Sequence, residues 1–150
     1  TIYELLPKKF SKLNYVGRLD YQSEGLILMT SSGDLTERLT HPRFHVEKEY
    51  AVHLDRPFDP ELTHRLLEGI HLTEGLAKAE SVHFDSRRRL HMVLTQGYNR
   101  QIRRMFSKLG CKVERLERVR IGQLTMPALS TGDYHILNHR EMEAACTNPK

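Results

Sequence analysis

Segments with a strand pattern and segments with a helix pattern alternate along the chain, and this alternation restricts the fold more than any other feature. Four segments have the short apolar or alternating pattern of β-strands: residues 26–30, 48–54, 81–84 and 90–95. Three have the apolar spacing of amphipathic helices: residues 34–41, 59–68 and 99–109. Because strands outnumber helices and often follow one another, we predict an α+β fold with a mixed, largely antiparallel sheet flanked by helices.

Local signals predict where several elements are buried and where they end. Residues 26–30 form a short, largely apolar run, which predicts a strand buried on both faces. Asp34, with Glu37 three residues later, is predicted to cap a helix that Pro42 ends near His41. A similar pair, Asn138 and Glu141, predicts a last short helix.

Apolar stripes predict which side chains enter the core. In residues 48–54 the buried side should carry Tyr50, Val52 and Leu54. The helix that starts after Asp59 should bury Leu62, Leu66 and Leu67. The helix that starts near Asn99 should bury one stripe and present arginines and a lysine on another, and Gly110 should end it. Its buried stripe consists of Ile102, Met105, Phe106 and Leu109.

Length and composition favour one domain of ordinary globular type. The 150 residues are 39% hydrophobic and 28% charged, enough to bury a core without disulfides or metal. Cys111 and Cys146 form neither a disulfide framework nor a zinc motif, and the histidines lack metal-ligand spacing. No apolar run approaches the roughly 20 residues of a membrane span. We therefore expect a cytoplasmic protein without a membrane segment or a metal site.

Basic residues are concentrated in one stretch. Residues 99–120 contain eight Lys or Arg against two Glu, although the whole chain has a formal charge of only +4. A basic stripe of this kind is what binding to nucleic-acid phosphates requires, because each neutralised phosphate releases counterions. The alternative is a helix face whose charges are simply solvated.

Asp20 is the candidate chemical group. It lies between Gly17 and Gly25, just before the apolar run, which predicts a loop at a sheet margin where a carboxylate can stay ionised and face a ligand. The simpler interpretation is a turn in which Asp20 only caps the backbone. An arginine from the helix near Asn99 could pair with Asp20 and orient it. A glycoside hydrolase is disfavoured because most need two carboxylates, and only Glu24 is close in sequence.

Four motifs occur in an order and spacing that resemble the RNA pseudouridine synthases, in particular the subgroup that modifies ribosomal RNA. The first is Gly17-Arg18-Leu19-Asp20, followed by Ser23 and Gly25. The others are Glu47-Lys48-Glu49-Tyr50, Asn99-Arg100-Gln101-Ile102-Arg103-Arg104-Met105 and Leu116-Glu117-Arg118-Val119-Arg120-Ile121-Gly122. The resemblance extends over about residues 1–143.

The resemblance implies that a specific uridine in ribosomal RNA is flipped out, detached at its glycosidic bond, rotated and reattached through carbon 5. It implies that Asp20 is the essential carboxylate, as a nucleophile or as a base towards the sugar. Tyr50 would stack on the target base and is a candidate for assisting proton removal from carbon 5, although on the residue pattern alone it is a core tyrosine. Arg103 would pair with Asp20, and Arg18 would fill the gap left by the flipped nucleotide. The predicted RNA-binding residues are Arg18, Arg100, Arg104 and Lys108.

The resemblance also predicts the context of the chain. We expect no cofactor, ribosomal RNA as the partner, and a monomer. Related enzymes usually carry an N-terminal RNA-binding domain and a strand with a Lys-Pro turn. Residues 1–150 therefore correspond to the catalytic domain alone, without its N-terminal part and first strands. The alternative is a non-catalytic RNA-binding or ribosome-assembly module that uses the same basic face.

Overall fold

A computed structural model describes residues 1–125 and 127–150. The strands are β1 (Asn14–Val16), β2 (Ser23–Gly25), β3 (Leu28–Thr30), β4 (Lys48–Leu54), β5 (Ile70–Leu72), β6 (Gly75–Ala77), β7 (Ser81–Phe84), β8 (Arg89–Leu94), β9 (Val113–Ile121) and β10 (Leu124–Thr125). The α-helices are α1 (Gly33–Thr40), α2 (Thr63–Glu68), α3 (Gln101–Lys108) and α4 (His139–Ala145). Short 3-10 helices span Ile2–Leu5, Lys8–Phe10, Pro42–Phe44 and Pro60–Leu62.

The main sheet is antiparallel except at one strand. Its order is β10-β9-β4-β8-β7, and β2 joins β9 in parallel. Two smaller antiparallel pairs, β1 with β3 and β5 with β6, lie outside it. The predicted α+β class with a mixed, largely antiparallel sheet is confirmed. The parallel β2 brings the loop that contains Asp20 to β9, and this pairing positions the candidate site.

Strand β4 lies in the middle of the sheet and has the predicted bounds. It pairs with β8 on one side and β9 on the other. Val52 and Leu54 are fully buried and Tyr50 is half-buried, as the alternation predicts. The predicted hairpin of β7 and β8 is also present. These segments were predictable because each carries its own periodic burial pattern.

The prediction that residues 26–30 form one strand buried on both faces is wrong. The strand is limited to Leu28–Thr30, all three residues are half-buried, and it pairs with β1. Leu26, by contrast, is buried, and its N–H donates to the Arg118 carbonyl at 2.9 Å. The apolar run is therefore divided between two sheets. Leu26 hydrogen-bonds to β9 of the main sheet, whereas Leu28–Thr30 pair with β1.

Two helix details also differ from the prediction. Helix α1 ends at Thr40, before Pro42, but its N-cap is Ser32 and not Asp34, since the Ser32 hydroxyl accepts the Leu35 N–H at 3.1 Å. In α2, Leu66 is fully buried but Leu67 is exposed. Adjacent residues on a helix point about 100° apart, so this six-residue helix turns only one of the two towards the sheet.

Helix α3 covers the main core with the predicted apolar stripe. Ile102, Met105 and Phe106 are buried against sheet residues such as Val52, and Phe106 packs edge-on against Phe58. A second core cluster contains residues from β1, α1 and α4. The predicted capping box of Asn138 and Glu141 is present in α4. In the part of the chain that the structure describes, no helix is long and apolar enough to cross a membrane.

Candidate active site

Asp20 lies in the turn that leads into β2. Its backbone carbonyl accepts the Ser23 N–H, and its carboxylate atom Oδ1 accepts the Gln22 N–H, both at 2.9 Å. This is the turn-capping arrangement expected of a loop aspartate. The side chain is nevertheless 23% exposed. One carboxylate oxygen thus shapes the turn while the group remains accessible to a ligand.

Two arginines lie close to this carboxylate: Arg100, just before α3, and Arg103, in its first turn. Arg103 Nε is 3.6 Å from Asp20 Oδ2, and Arg100 Nη1 is 3.4 Å from Oδ1. The structure thus brings Asp20 and Arg103 together. From the sequence, Arg100 was predicted to bind RNA phosphates, and its contact with Asp20 was not predicted. Helical spacing gave no signal for this contact, because Arg100 precedes α3 and has a left-handed backbone.

The guanidinium of Arg103 is held in place by backbone carbonyls. Nη1 donates to the Val113 carbonyl at 3.0 Å and Nη2 to the Gln22 carbonyl at 2.8 Å. The side chain is only 10% exposed. Its Nε is buried and has no hydrogen-bond partner among the residues described. Arg103 is therefore preorganised, with one unused donor 3.6 Å from an Asp20 carboxylate oxygen.

Tyr50 is linked to the Asp20 loop through strand pairing. Tyr50 lies opposite Arg118 of β9, and Arg118 lies opposite Gly25 of β2, so the three form a row across adjacent strands. Tyr50 is half-buried and packs against the main core. Within the described residues it makes no hydrogen bond to Asp20 or Arg103. The sheet therefore places Tyr50 in the same region as the loop, without direct polar contact.

Sequence reasoning missed two cations near Tyr50, of which Arg118 is buried and Lys48 is half-buried. Arg118 is 4% exposed, its Nε donates to the Leu26 carbonyl at 2.8 Å, and its Nη2 has no partner among the described residues. Lys48 donates to the Leu39 carbonyl at 2.7 Å. Burial, together with the charge of Arg118, lowers the pKa of Lys48 to about 8. The signal for Arg118 was its position two residues after the buried Leu116 on the same strand.

The four predicted RNA-binding residues differ in their surroundings. Arg18 is exposed and makes no polar contact with any described residue. Arg104 forms a two-point ion pair with Glu74, each bond 2.8 Å long, and this pair lowers the pKa of Glu74 to about 2. Lys108 donates to the His71 carbonyl at 2.8 Å. Arg104 and Lys108 therefore fasten α3 to the β5–β6 hairpin, whereas Arg18 is exposed and Arg100 borders Asp20.

An open cavity of about 860 Å³ lies along α3, and its wall includes Gln22, Arg100 and Arg103, which contact Asp20. Basic side chains outnumber acidic ones in its wall: Arg56, Arg100, Arg103, Arg104 and Lys112 against Asp55 and Glu114. Its charge therefore favours an anionic ligand. In the described part of the chain, no cluster of three or more His, Cys, Asp or Glu residues is arranged to hold a metal.

Fold and site together define an α+β domain with one carboxylate flanked by two arginines that line a basic cavity. A family model described as RNA pseudouridylate synthase matches residues 2–108, which is more than half of the chain. The chain belongs to this family, as its four motifs predicted.

Curated relatives and a solved structure agree with this membership. The ribosomal large subunit pseudouridine synthase B of Pseudomonas aeruginosa is 35% identical over 155 aligned positions, covering 95% of this chain and 39% of that protein. An uncharacterized RNA pseudouridine synthase of Aquifex aeolicus is 33% identical, covering 95% of this chain and 59% of the relative. A crystal structure of a pseudouridylate synthase superposes with a TM-score of 0.91 at 33% identity, covering 97% of this chain and 65% of that chain. The chain thus spans less than two thirds of these relatives.

Proposed function

We propose that this chain converts a uridine of ribosomal RNA to pseudouridine, with Asp20 as the essential carboxylate. The observation that carries the proposal is the Asp20 carboxylate flanked by Arg100 and Arg103, two arginines that also line a basic cavity. Family membership supports the reaction, and the names of the relatives support ribosomal RNA as the substrate class.

The reaction is an isomerisation and needs no net reactant. The bond between N1 and C1′ of the uridine breaks, the base rotates, and a bond forms between C5 and C1′. The proton on C5 is lost and N1 gains one, so atoms and electrons balance. Asp20 acts on the sugar-base unit as a nucleophile at C1′ or as a base towards a sugar proton. Either role requires an oriented carboxylate, and the ion pair with Arg103 supplies that orientation.

The remaining residues bind and shield the nucleotide. Tyr50 offers an aromatic face, and stacking of an unpaired base on such a face is worth roughly 1–3 kcal/mol, which offsets part of the cost of flipping. Arg18 fills the position that the flipped base leaves. Arg18 and Arg100 contact phosphates directly, whereas Arg104 and Lys108 keep the binding face of α3 in place through Glu74 and His71.

The test is tritium release from RNA labelled at carbon 5 of uridine. An unmodified transcript of Pseudomonas aeruginosa large-subunit ribosomal RNA is the substrate. We expect the wild-type chain to release tritium to water and Asp20→Asn to release none, while binding RNA as tightly as the wild type. Asn keeps the size of the side chain and an oxygen for the Gln22 N–H.

The matched control is Asp34→Asn, the same change at an exposed aspartate in the first turn of α1. It should release tritium at the wild-type rate. Release by Asp20→Asn at that rate would refute the role of Asp20. Salt-dependent RNA binding by a wild type that releases no tritium would instead favour the non-catalytic RNA-binding module.

A further inference from the structure

Arg100 has a backbone conformation that is unfavourable for a residue with a Cβ atom. Its φ and ψ are 50° and 37°, in the left-handed region, immediately before the first residue of α3. Glycine or asparagine would adopt this conformation at lower cost. Backbone strain of this kind persists where other contacts compensate for it, and it often occurs at functional sites.

The polar contacts of the Arg100 side chain lead to the Asp20 loop and compensate for part of this strain. Nη2 donates to Gln22 Oε1 at 3.0 Å, and Nη1 lies 3.4 Å from Asp20 Oδ1. The side chain is 41% exposed, so water weakens this ion pair. Arg100 therefore holds the loop by contacts that a stronger anion could displace.

On the other side of the carboxylate, the interaction with Arg103 is incomplete. Arg103 Nε is buried without a hydrogen-bond partner among the described residues, yet it is 3.6 Å from Asp20 Oδ2. That distance exceeds a hydrogen bond, and an unsatisfied buried donor is unfavourable. Backbone carbonyls hold the rest of the Arg103 guanidinium in place, so it is Asp20 that must move to complete the bond. A small movement of the carboxylate is sufficient.

We propose that Arg100 is a positioning residue. Until RNA binds, it keeps the Asp20 carboxylate beyond hydrogen-bond distance of Arg103 Nε. A backbone phosphate of the RNA draws the Arg100 guanidinium away from Asp20 and Gln22, and the carboxylate then completes its hydrogen bond to Arg103 Nε. Phosphate suits this exchange because guanidinium binds it with two parallel charge-assisted hydrogen bonds. Arg100 also borders the basic cavity. The inference rests on the proposed function, because it couples RNA binding to the arrangement of the catalytic carboxylate.

The first test follows the Nε–H signal of Arg103 by NMR in ¹⁵N-labelled chain, identified by its loss in Arg103→Lys. Arg100→Gly removes the side chain and relieves the backbone, so the variant should fold. Without RNA, we expect its Arg103 signal to lie downfield of the wild-type signal. Millimolar decauridylate should move the wild-type signal in the same direction. The proposal is refuted if the Arg103 signals of Arg100→Gly and the wild type coincide without RNA. It is also refuted if decauridylate does not move the Arg103 signal of the wild type.

The second test measures binding and turnover on the ribosomal RNA transcript. One lost phosphate contact should raise the KM of Arg100→Gly roughly tenfold. It should also reduce the slope of log affinity against log salt by about one unit. The matched control is Arg65→Ala, which removes one exposed arginine on α2 and should leave KM and salt slope unchanged. Equal KM values for Arg100→Gly and wild type would overturn the proposal.

The two proposals fail in different ways. A wild type that releases no tritium refutes the proposed function. If the wild type releases tritium, but the Arg103 signal changes neither on addition of decauridylate nor in Arg100→Gly, only the role of Arg100 is refuted.

Discussion

Replacement of Gly25 by alanine tests whether the pairing of β2 with β9 positions the Asp20 loop. Gly25 is the last residue of β2 and has a φ of +109°. A Cβ atom there would lie 2.2 Å from the carbonyl oxygen of Arg118 and 2.5 Å from its amide nitrogen. Because these are backbone atoms of a central strand, they cannot rotate away as a side chain would. Gly25→Ala must therefore push β2 away from β9.

The expected cost combines two terms. A residue with a Cβ atom at positive φ costs about 1–2 kcal/mol. Separation of the strands weakens the bond from the Leu26 N–H to the Arg118 carbonyl, 2.9 Å, and the bond from Arg118 Nε to the Leu26 carbonyl, 2.8 Å. Each such bond contributes about 1 kcal/mol. We therefore expect the free energy of unfolding to fall by about 3 kcal/mol.

Urea unfolding measures this loss, and tritium release measures its effect on the site. Release should fall as well, because Asp20 and β2 share one turn through the Asp20 carbonyl and the Ser23 N–H. The matched control is Gly33→Ala at the first residue of α1, where a Cβ meets no heavy atom within 4 Å. Alanine favours helix over glycine, so this variant should be as stable as wild type or gain up to about 1 kcal/mol. Equal urea midpoints for Gly25→Ala and wild type would refute the reasoning.

Two further predictions concern pH. Because Arg104 lowers the pKa of Glu74 from 4.5 to about 2, their ion pair stabilises the fold above pH 4.5 and is lost as the pH falls through 2. The difference in urea midpoint between wild type and Glu74→Gln should therefore be present at pH 7 and absent below pH 2, and a difference that persists there contradicts the assignment. Burial lowers the pKa of Lys48 from 10.5 to about 8, so between these values the unfolded chain binds more protons and stability rises with pH. Relative to Lys48→Met, wild type should gain about 2–3 kcal/mol between pH 7 and 10.5, and parallel pH profiles of the two proteins would exclude this effect.

Several elements were predictable because their signals are local. The alternation of Tyr50, Val52 and Leu54 gave the bounds of β4 and its buried side. The apolar stripe of α3 and the capping box of α4 were equally readable. Such signals depend on residues within one or two turns of each other. The hairpin of β5 and β6 had no comparable signal, since each of its strands is only three residues long.

The same limit applies to the site. The motif containing Asp20 and the arginine-rich start of α3 were visible in the sequence, and their resemblance to a known family indicated that they meet. The sequence did not indicate that Arg100 would reach Gln22, 78 residues away, or that Arg104 would be paired with Glu74. The sequence alone does not distinguish one arginine of a basic stripe from another, because their partners are set by the fold.

By itself, the amino-acid sequence determined the α+β class and the central strands, and it singled out Asp20 as the candidate carboxylate. Tertiary structure decided how the apolar run of residues 26–30 is shared between two sheets, which arginines support the fold and which border Asp20, and that Arg118 is buried beside Tyr50. Periodicity and capping are properties of neighbouring residues, whereas a charge gains its role from partners that only the folded backbone brings within a few ångströms.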